Sequence, residues 1–143
     1  MPHATDPVGG EQGVDSGGLM VEIPVPVADL LDRITILRIK AARVEGAALK
    51  HVQRELALLD ARWTFGDVPE SARLEAVNEE LWNVEDALRH HESRGDFGEK
   101  FVELARAVYQ FNDERARLKR AVNERLGSGL VEVKAYAERK VTG

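Results

Sequence analysis

Apolar positions along the chain fall into four stripes, each stepped by three and four residues. Leu30, Ile34, Leu37, Ala41 and Val44 make the first and predict a helix over about 28–44, stopped by Gly46. Leu49, Val52, Leu56, Leu59 and Trp63 predict a second helix over about 47–63, closed by Gly66 and Pro69. Leu74, Val77, Leu81, Val84 and Leu88 predict a third over about 70–92, with Gly95 and Gly98 at the break. Phe97, Phe101, Leu104, Val108, Phe111, Leu118 and Val122 predict a fourth over about 97–126, ended by Gly127. No proline follows Pro69, so nothing obstructs the two longest helices. Stripes of this spacing are close to the heptads of a coiled coil. Short connections make sequential helices antiparallel neighbours. The expected fold is therefore all-α: two helical hairpins, 28–63 and 70–126, packed as a four-helix bundle.

The flanks follow other patterns. Residues 1–19 hold five of the 12 glycines and few large apolar groups, and read as a flexible extension. Residues 20–136 then form a single helical domain and 137–143 a tail. Residues 21–25 and 130–136 alternate with period two. They are expected either to pair as a small β-ribbon or to drape over the bundle, and Pro24 and Pro26 confine the first to an edge.

Composition narrows the function classes. The 143 residues are 43% apolar and 31% charged, and none is cysteine. Disulfides, thiolate metal sites and a cysteine nucleophile are thereby excluded. No apolar run approaches the ~20 residues of a membrane span, and residues 1–19 carry no signal-like apolar core, so cytoplasmic residence without membrane insertion is expected. Net charge is −5. The first 19 residues hold three acids and no base, which leaves 22 acids against 20 bases in the rest. A body so nearly neutral offers no field for nucleic acid, which is disfavoured as a partner.

Motifs of known chemistry are missing. The chain holds no Gly-rich phosphate loop and no serine in a Gly-flanked elbow. His51 and Glu55 share a helix face, but one such pair is too few for zinc, so neither metal nor other cofactor is expected.

Two polar clusters remain. In the first helix Asp32, Thr35 and Lys40 accompany a wide apolar arc (Ile34, Ile36, Leu37, Ile39). This fits either a central helix buried by two neighbours or a polar pocket. In the fourth helix Arg115 interrupts the apolar stripe, with Asn112, Asp113, Lys119 and Arg120 around it and Ala116 between Asn112 and Lys119. A buried arginine needs a partner. Antiparallel register places Arg115 near Leu74, Glu75 and Asn78, which makes Glu75 the expected partner and Glu85 or Asp86 the alternatives. The same register sets the acidic start of the third helix against the basic end of the fourth. Trp82 and Tyr109 lie off the main stripes and are candidate interface residues.

These clusters carry a resemblance. Asp32-Arg33-Ile34-Thr35-Ile36-Leu37-Arg38-Ile39-Lys40, Leu81-Trp82-x-x-Glu85-Asp86, Asn112-Asp113-x-Arg115-Ala116-x-x-Lys119-Arg120 and Gly127-Ser128-x-Leu130-Val131-Glu132 resemble an uncharacterised bacterial protein family over about 20–136. Arg33 (for Lys), Val133 (for an acid) and Ala135 (for Ser) depart from its pattern. The resemblance implies no activity, and it associates the chain with surface-polysaccharide biosynthesis. The chain is also similar, more distantly, to all-helical chorismate mutases, which hold a dianion inside a helical dimer without metal. Arg33, Arg38, Lys40, Arg115 and Lys119 would take those parts, though at a different spacing.

Two function classes follow. One is a non-catalytic helical interaction protein, a homo-oligomer (dimer favoured) or the companion of another protein. The other is a metal-independent enzyme or binder for an anionic small molecule such as a phosphorylated sugar, nucleotide sugar or dicarboxylate. The first expects the polar clusters to be satisfied inside the bundle. The second expects Arg115, Lys119 and Lys40 to converge with Asn112 and Asp113 on one cavity.

Overall fold

The computed structural model describes residues 18–136. The fold is all-α, with α1 (Val27–Ala41), α2 (Gly46–Asp60), α3 (Glu70–Arg94) and α4 (Glu99–Leu126). Observed and expected boundaries differ by three residues at most, the largest differences being at the ends of α1 and α2. The extension up to residue 17 and the tail from 137 lie outside the described residues. Among the described residues no helix is long and apolar enough to cross a membrane.

Each of the two long helices ends on a glycine in the left-handed region. Gly95 has φ 66° and Gly127 φ 66°, a conformation that a Cβ disfavours. In both cases the next residue's N–H reaches back to a carbonyl in the last turn: Asp96 to His91 at 3.0 Å and Ser128 to Asn123 at 2.9 Å. This closes orphan carbonyls and redirects the chain.

α1 is the central element. It packs against each of the other three helices, whereas α2 packs on α1 alone. Both hairpins form as expected, and α1 lies on the α3–α4 pair and carries α2 on its outer side. That arrangement explains the wide apolar arc of α1, where Ala28, Leu31, Ile34, Leu37 and Ile39 are all buried. By contrast, α2 has no buried residue. The main core joins Ala28 and Leu31 of α1, Val68 of the α2–α3 connection, Leu74 of α3, and Leu118 and Val122 of α4. Leu74 and Val122 are fully buried, and full burial of such side chains is worth about 2 kcal/mol each.

No β-ribbon forms among the described residues: neither 21–25 nor 130–136 is a strand. The two segments are pinned elsewhere instead. Glu22 takes Arg62 at 2.9 Å, and Glu132 takes Lys119 at 3.0 Å. Lys119 is nearly buried, so its pair with Glu132 holds the tail against α4, whereas the Glu22–Arg62 pair is exposed to solvent.

Candidate functional site

The first turns of α1 meet α4 through a ladder of polar pairs. Arg115, Lys119 and Asn123 stand four residues apart on one face of α4, so all three project the same way. Opposite them, in antiparallel order, lie Asp32, Asp29 and the backbone N–H of Ala28.

Arg115 makes the first rung. Its Nε donates to Asp32 Oδ1 at 2.9 Å and its Nη2 to Asp32 Oδ2 at 2.5 Å, a bidentate fork. Asn78 of α3 donates its Nδ2 to the same Oδ1 at 2.9 Å and lies equally close to Thr35 Oγ1. Thr35 in turn donates to the Asp32 carbonyl at 2.7 Å, and Asn112 accepts Arg115 Nη1 at 3.4 Å. The Asp32 side chain is 8% exposed and Thr35 is fully buried, so the network is largely closed to water. The Asp32 carboxylate holds the Arg115 guanidinium above its ordinary pKa, against the opposing effect of burial.

Lys119 makes the second rung. Its side chain is 10% exposed, and Nζ lies 3.1 Å from Asp29 Oδ1 and 3.0 Å from Glu132 Oε1. Glu132 also accepts from Lys134 at 2.7 Å. Lys134 first and Lys119 second hold the Glu132 carboxyl below its ordinary range. Asn123 makes the third rung by capping α1. Pro26, at the N-cap position, offers no side-chain bond, and Asn123 Oδ1 instead accepts the Ala28 N–H at 2.8 Å. Ser128 Oγ accepts the Val27 N–H at 3.1 Å and donates to the Leu130 carbonyl at 2.6 Å.

The structure therefore brings together Asp32, Thr35, Asn112, Arg115 and Lys119 from the sequence-selected set. It leaves the others apart. Lys40, Glu85, Asp113 and Arg120 are exposed, with no ion pair among the described residues. Asp86 lies 3.7 Å from Arg43. Trp82 is half-buried beneath the Arg43 guanidinium, 5.1 Å from its ring centre, and Arg43 also pairs with Glu79. Tyr109 is 58% exposed.

The expected partner of Arg115 needs correction. Glu75 does not reach it, and neither do Glu85 and Asp86. Glu75 faces Arg38 of α1 at 3.5 Å. The hairpin register was sound, but α1 wedges against both helices and brings Asp32 to the arginine first. The charge pairing across the hairpin is real yet narrower than expected. Arg125 grips Glu70 through two bonds of 2.9 and 2.8 Å, and Arg73 reaches Glu114 at 3.0 Å.

Sequence reasoning passed over Asn123, Asp29 and Ser128, and gave Asn78 no role. A signal existed for the asparagines. Both are weak helix formers placed on the buried faces of long helices, where a polar side chain needs a partner.

Two cavities flank this architecture. One of about 230 Å³ lies between α4 and the tail, lined by Lys119, Arg120, Asn123, Glu132 and Lys134 among others. A broader cleft of about 660 Å³ opens where α2 fails to reach α3. Leu31, Ile34, Trp63 and Val68 line it, with Arg38, Asp60 and Glu75 alongside. Of the charged residues singled out in the sequence, Arg38 and Glu75 border this cleft, and none of the Arg115 network does. Among the described residues there is no cluster of three or more His, Asp or Glu able to hold a metal.

What emerges is an all-α protein whose buried polar side chains join α1 to α3, α4 and the tail, with His91 bonded apart from them at the α3–α4 turn. The chain belongs to a family of unknown function, DUF6165, which matches residues 19–142. No curated protein and no solved structure matches it.

Proposed function

We propose that this chain is a non-catalytic helical interaction protein, homodimeric, serving a bacterial cytoplasmic assembly connected with surface-polysaccharide biosynthesis. The observation that supports it best is the state of Arg115 and Lys119. An anion-binding site needs cations whose charge is available, yet the Asp32 carboxylate already neutralises Arg115 through its Nε–Nη2 edge and Lys119 lies between two carboxylates. Lys40, which an anion pocket would recruit, stands exposed elsewhere. Meanwhile large apolar side chains, Tyr109 and Val102 among them, face solvent on the outer half of the long hairpin. The connection with polysaccharide synthesis rests on the family resemblance alone.

The test is a thermal-shift series with glucose 1-phosphate, UDP-glucose and succinate. A ligand that binds only the folded chain raises its Tm. This reading predicts an unchanged Tm with all three. A saturable rise with any one of them would overturn it.

One observation favours the second reading, a metal-independent enzyme or binder of an anionic small molecule. The cavity beside the tail carries Arg120, which has no ion pair among the described residues, next to Lys134. At about 230 Å³ it falls below the usual span of ligand pockets, roughly 300–1,000 Å³.

A further inference from the structure

The cleft exists because α2 and α3 both stand on α1 without touching each other, and Ala72 and Ala76 keep the α3 wall low. It offers three kinds of surface. The floor is apolar: Leu31 and Ile34 of α1, with Val68 of the α2–α3 connection. On the α2 side stands Trp63, whose indole N–H donates to the Gly66 carbonyl at 2.8 Å, so its ring is what it has left to offer a neighbour. The rim is acidic. Asp60 ends α2, Asp67 lies in the connection, and Glu75 and Glu79 stand four apart on one face of α3. Among the described residues that line the cleft, Arg38 is the one base. It lies 3.6 Å from Asp60 and 3.5 Å from Glu75, and all three side chains are more than 40% exposed. Pairs so long and so open to water are worth little and exchange readily. Arg43 answers Glu79 from beyond the lining, and Asp67 has no ion pair among the described residues. The cleft thus keeps a surplus of negative charge above an apolar floor.

We infer that this cleft docks a short basic segment of another protein, with one large apolar side chain on the floor and Lys or Arg on either side of it. The inference rests on the reading of this chain as an interaction protein and names the chemistry of its partner. Charge selects the occupant. Carboxylates on both walls and in the connection reject an acidic segment and attract a basic one. The floor suits an apolar anchor, and a volume of about 660 Å³ admits one large side chain with room beside it. The indole adds to the same preference, because the face of a tryptophan ring attracts ammonium and guanidinium groups. This chain's own first 19 residues hold three acids and no base, so they carry the wrong sign for the rim.

Trp63 supplies a local readout. The chain has two tryptophans, so Trp82→Phe leaves Trp63 as the sole indole. The experiment titrates the full-length Trp82→Phe protein with the capped peptide acetyl-Lys-Lys-Leu-Lys-Lys-amide and follows the emission of Trp63. One control peptide carries Glu for every Lys, and another carries Gly for Leu. We expect a saturable change with the lysine peptide and binding about tenfold or more weaker with either control. Adding Asp67→Asn and Glu75→Gln should weaken the lysine peptide about fivefold or more, and added salt should weaken it further. Glu103→Gln and Asp113→Asn, at exposed carboxylates that do not line the cleft, should leave it unchanged. No saturable change, or equal binding of the glutamate peptide, would overturn the assignment. So would an emission that shifts with protein concentration alone, because a second copy would then occupy the cleft. Light-scattering mass keeps this test apart from the proposed homodimer. A doubled mass beside an unmoved Trp63 signal overturns the docking role and leaves the association standing. Peptide binding with the expected preferences by a chain of single mass supports the docking role and removes the homodimer.

Discussion

Arg115 of α4 holds Asp32 of α1 with two nitrogens across 83 positions of sequence, and Asn78 of α3 donates to the same carboxylate. Three helices thus converge on one buried carboxyl group. Desolvating the pair costs free energy, so its value lies less in net stability than in fixing how α1 sits against the hairpin. Removing only one partner should be expensive. We predict that Arg115→Leu lowers unfolding free energy by about 2–4 kcal/mol, because it strands Asp32 where water cannot reach it. The Asp32→Leu/Arg115→Leu double variant should recover much of that loss. Urea titration of the four proteins in the double-mutant cycle checks both statements, and additive losses would contradict the pairing.

The start of α1 depends on a residue 95 positions away. Asn123→Ala should cost about 1 kcal/mol, the usual worth of a helix cap. Ser128→Ala should cost less, because its bond to Val27 is longer and more exposed. Hydrogen exchange offers the sharper readout: the Ala28 amide should lose protection in Asn123→Ala while amides late in α1 keep theirs.

Acid should release the tail before it unfolds the helices. Lys134 and Lys119 hold the Glu132 carboxyl below its ordinary value of 4.5. A lowered folded-state pKa means that the contribution is complete above the ordinary value and is lost as pH falls through the folded one. Backbone chemical shifts over Ser128–Lys134 are expected to keep their docked values at neutral pH and to move toward random-coil values below about pH 4.5. In Glu132→Gln they should be near random-coil values already at pH 7 and change little with pH.

The helices should differ in what they tolerate. Leu74 is fully buried in the main core, so Leu74→Ala should cost about 3 kcal/mol. Leu56 lies on α2, which buries no residue, and Leu56→Ala should cost about 1 kcal/mol. Denaturation midpoints check the ranking. Equal losses would mean that α2 is as firmly seated as the hairpin.

Much of this architecture could be read before any coordinates. The stripes ending at Gly95 and Gly127 were legible because helix period and left-handed glycines are local properties. Arg115 stood out for a similar reason, as a charge in an apolar stripe. Its partner could not be read from one hairpin's register, since Asp32 comes from a helix whose placement depends on the whole core. The capping role of Asn123 could not be read for a related reason. A helix cap is normally sought in the residue just before the helix, where Pro26 stands, and not at the far end of the chain. The period-two alternation at 21–25 and 130–136 misled as a ribbon signal, because two short segments gain little from pairing alone and neither is a strand in the fold.

The central claim is that this chain acts by association rather than by binding an anion in its polar interior. Light-scattering mass of the full chain, followed over concentration, tests that claim most directly. The account predicts a mass approaching twice the 15.9 kDa of one chain. A mass of one chain at every concentration, with or without added anions, would contradict it.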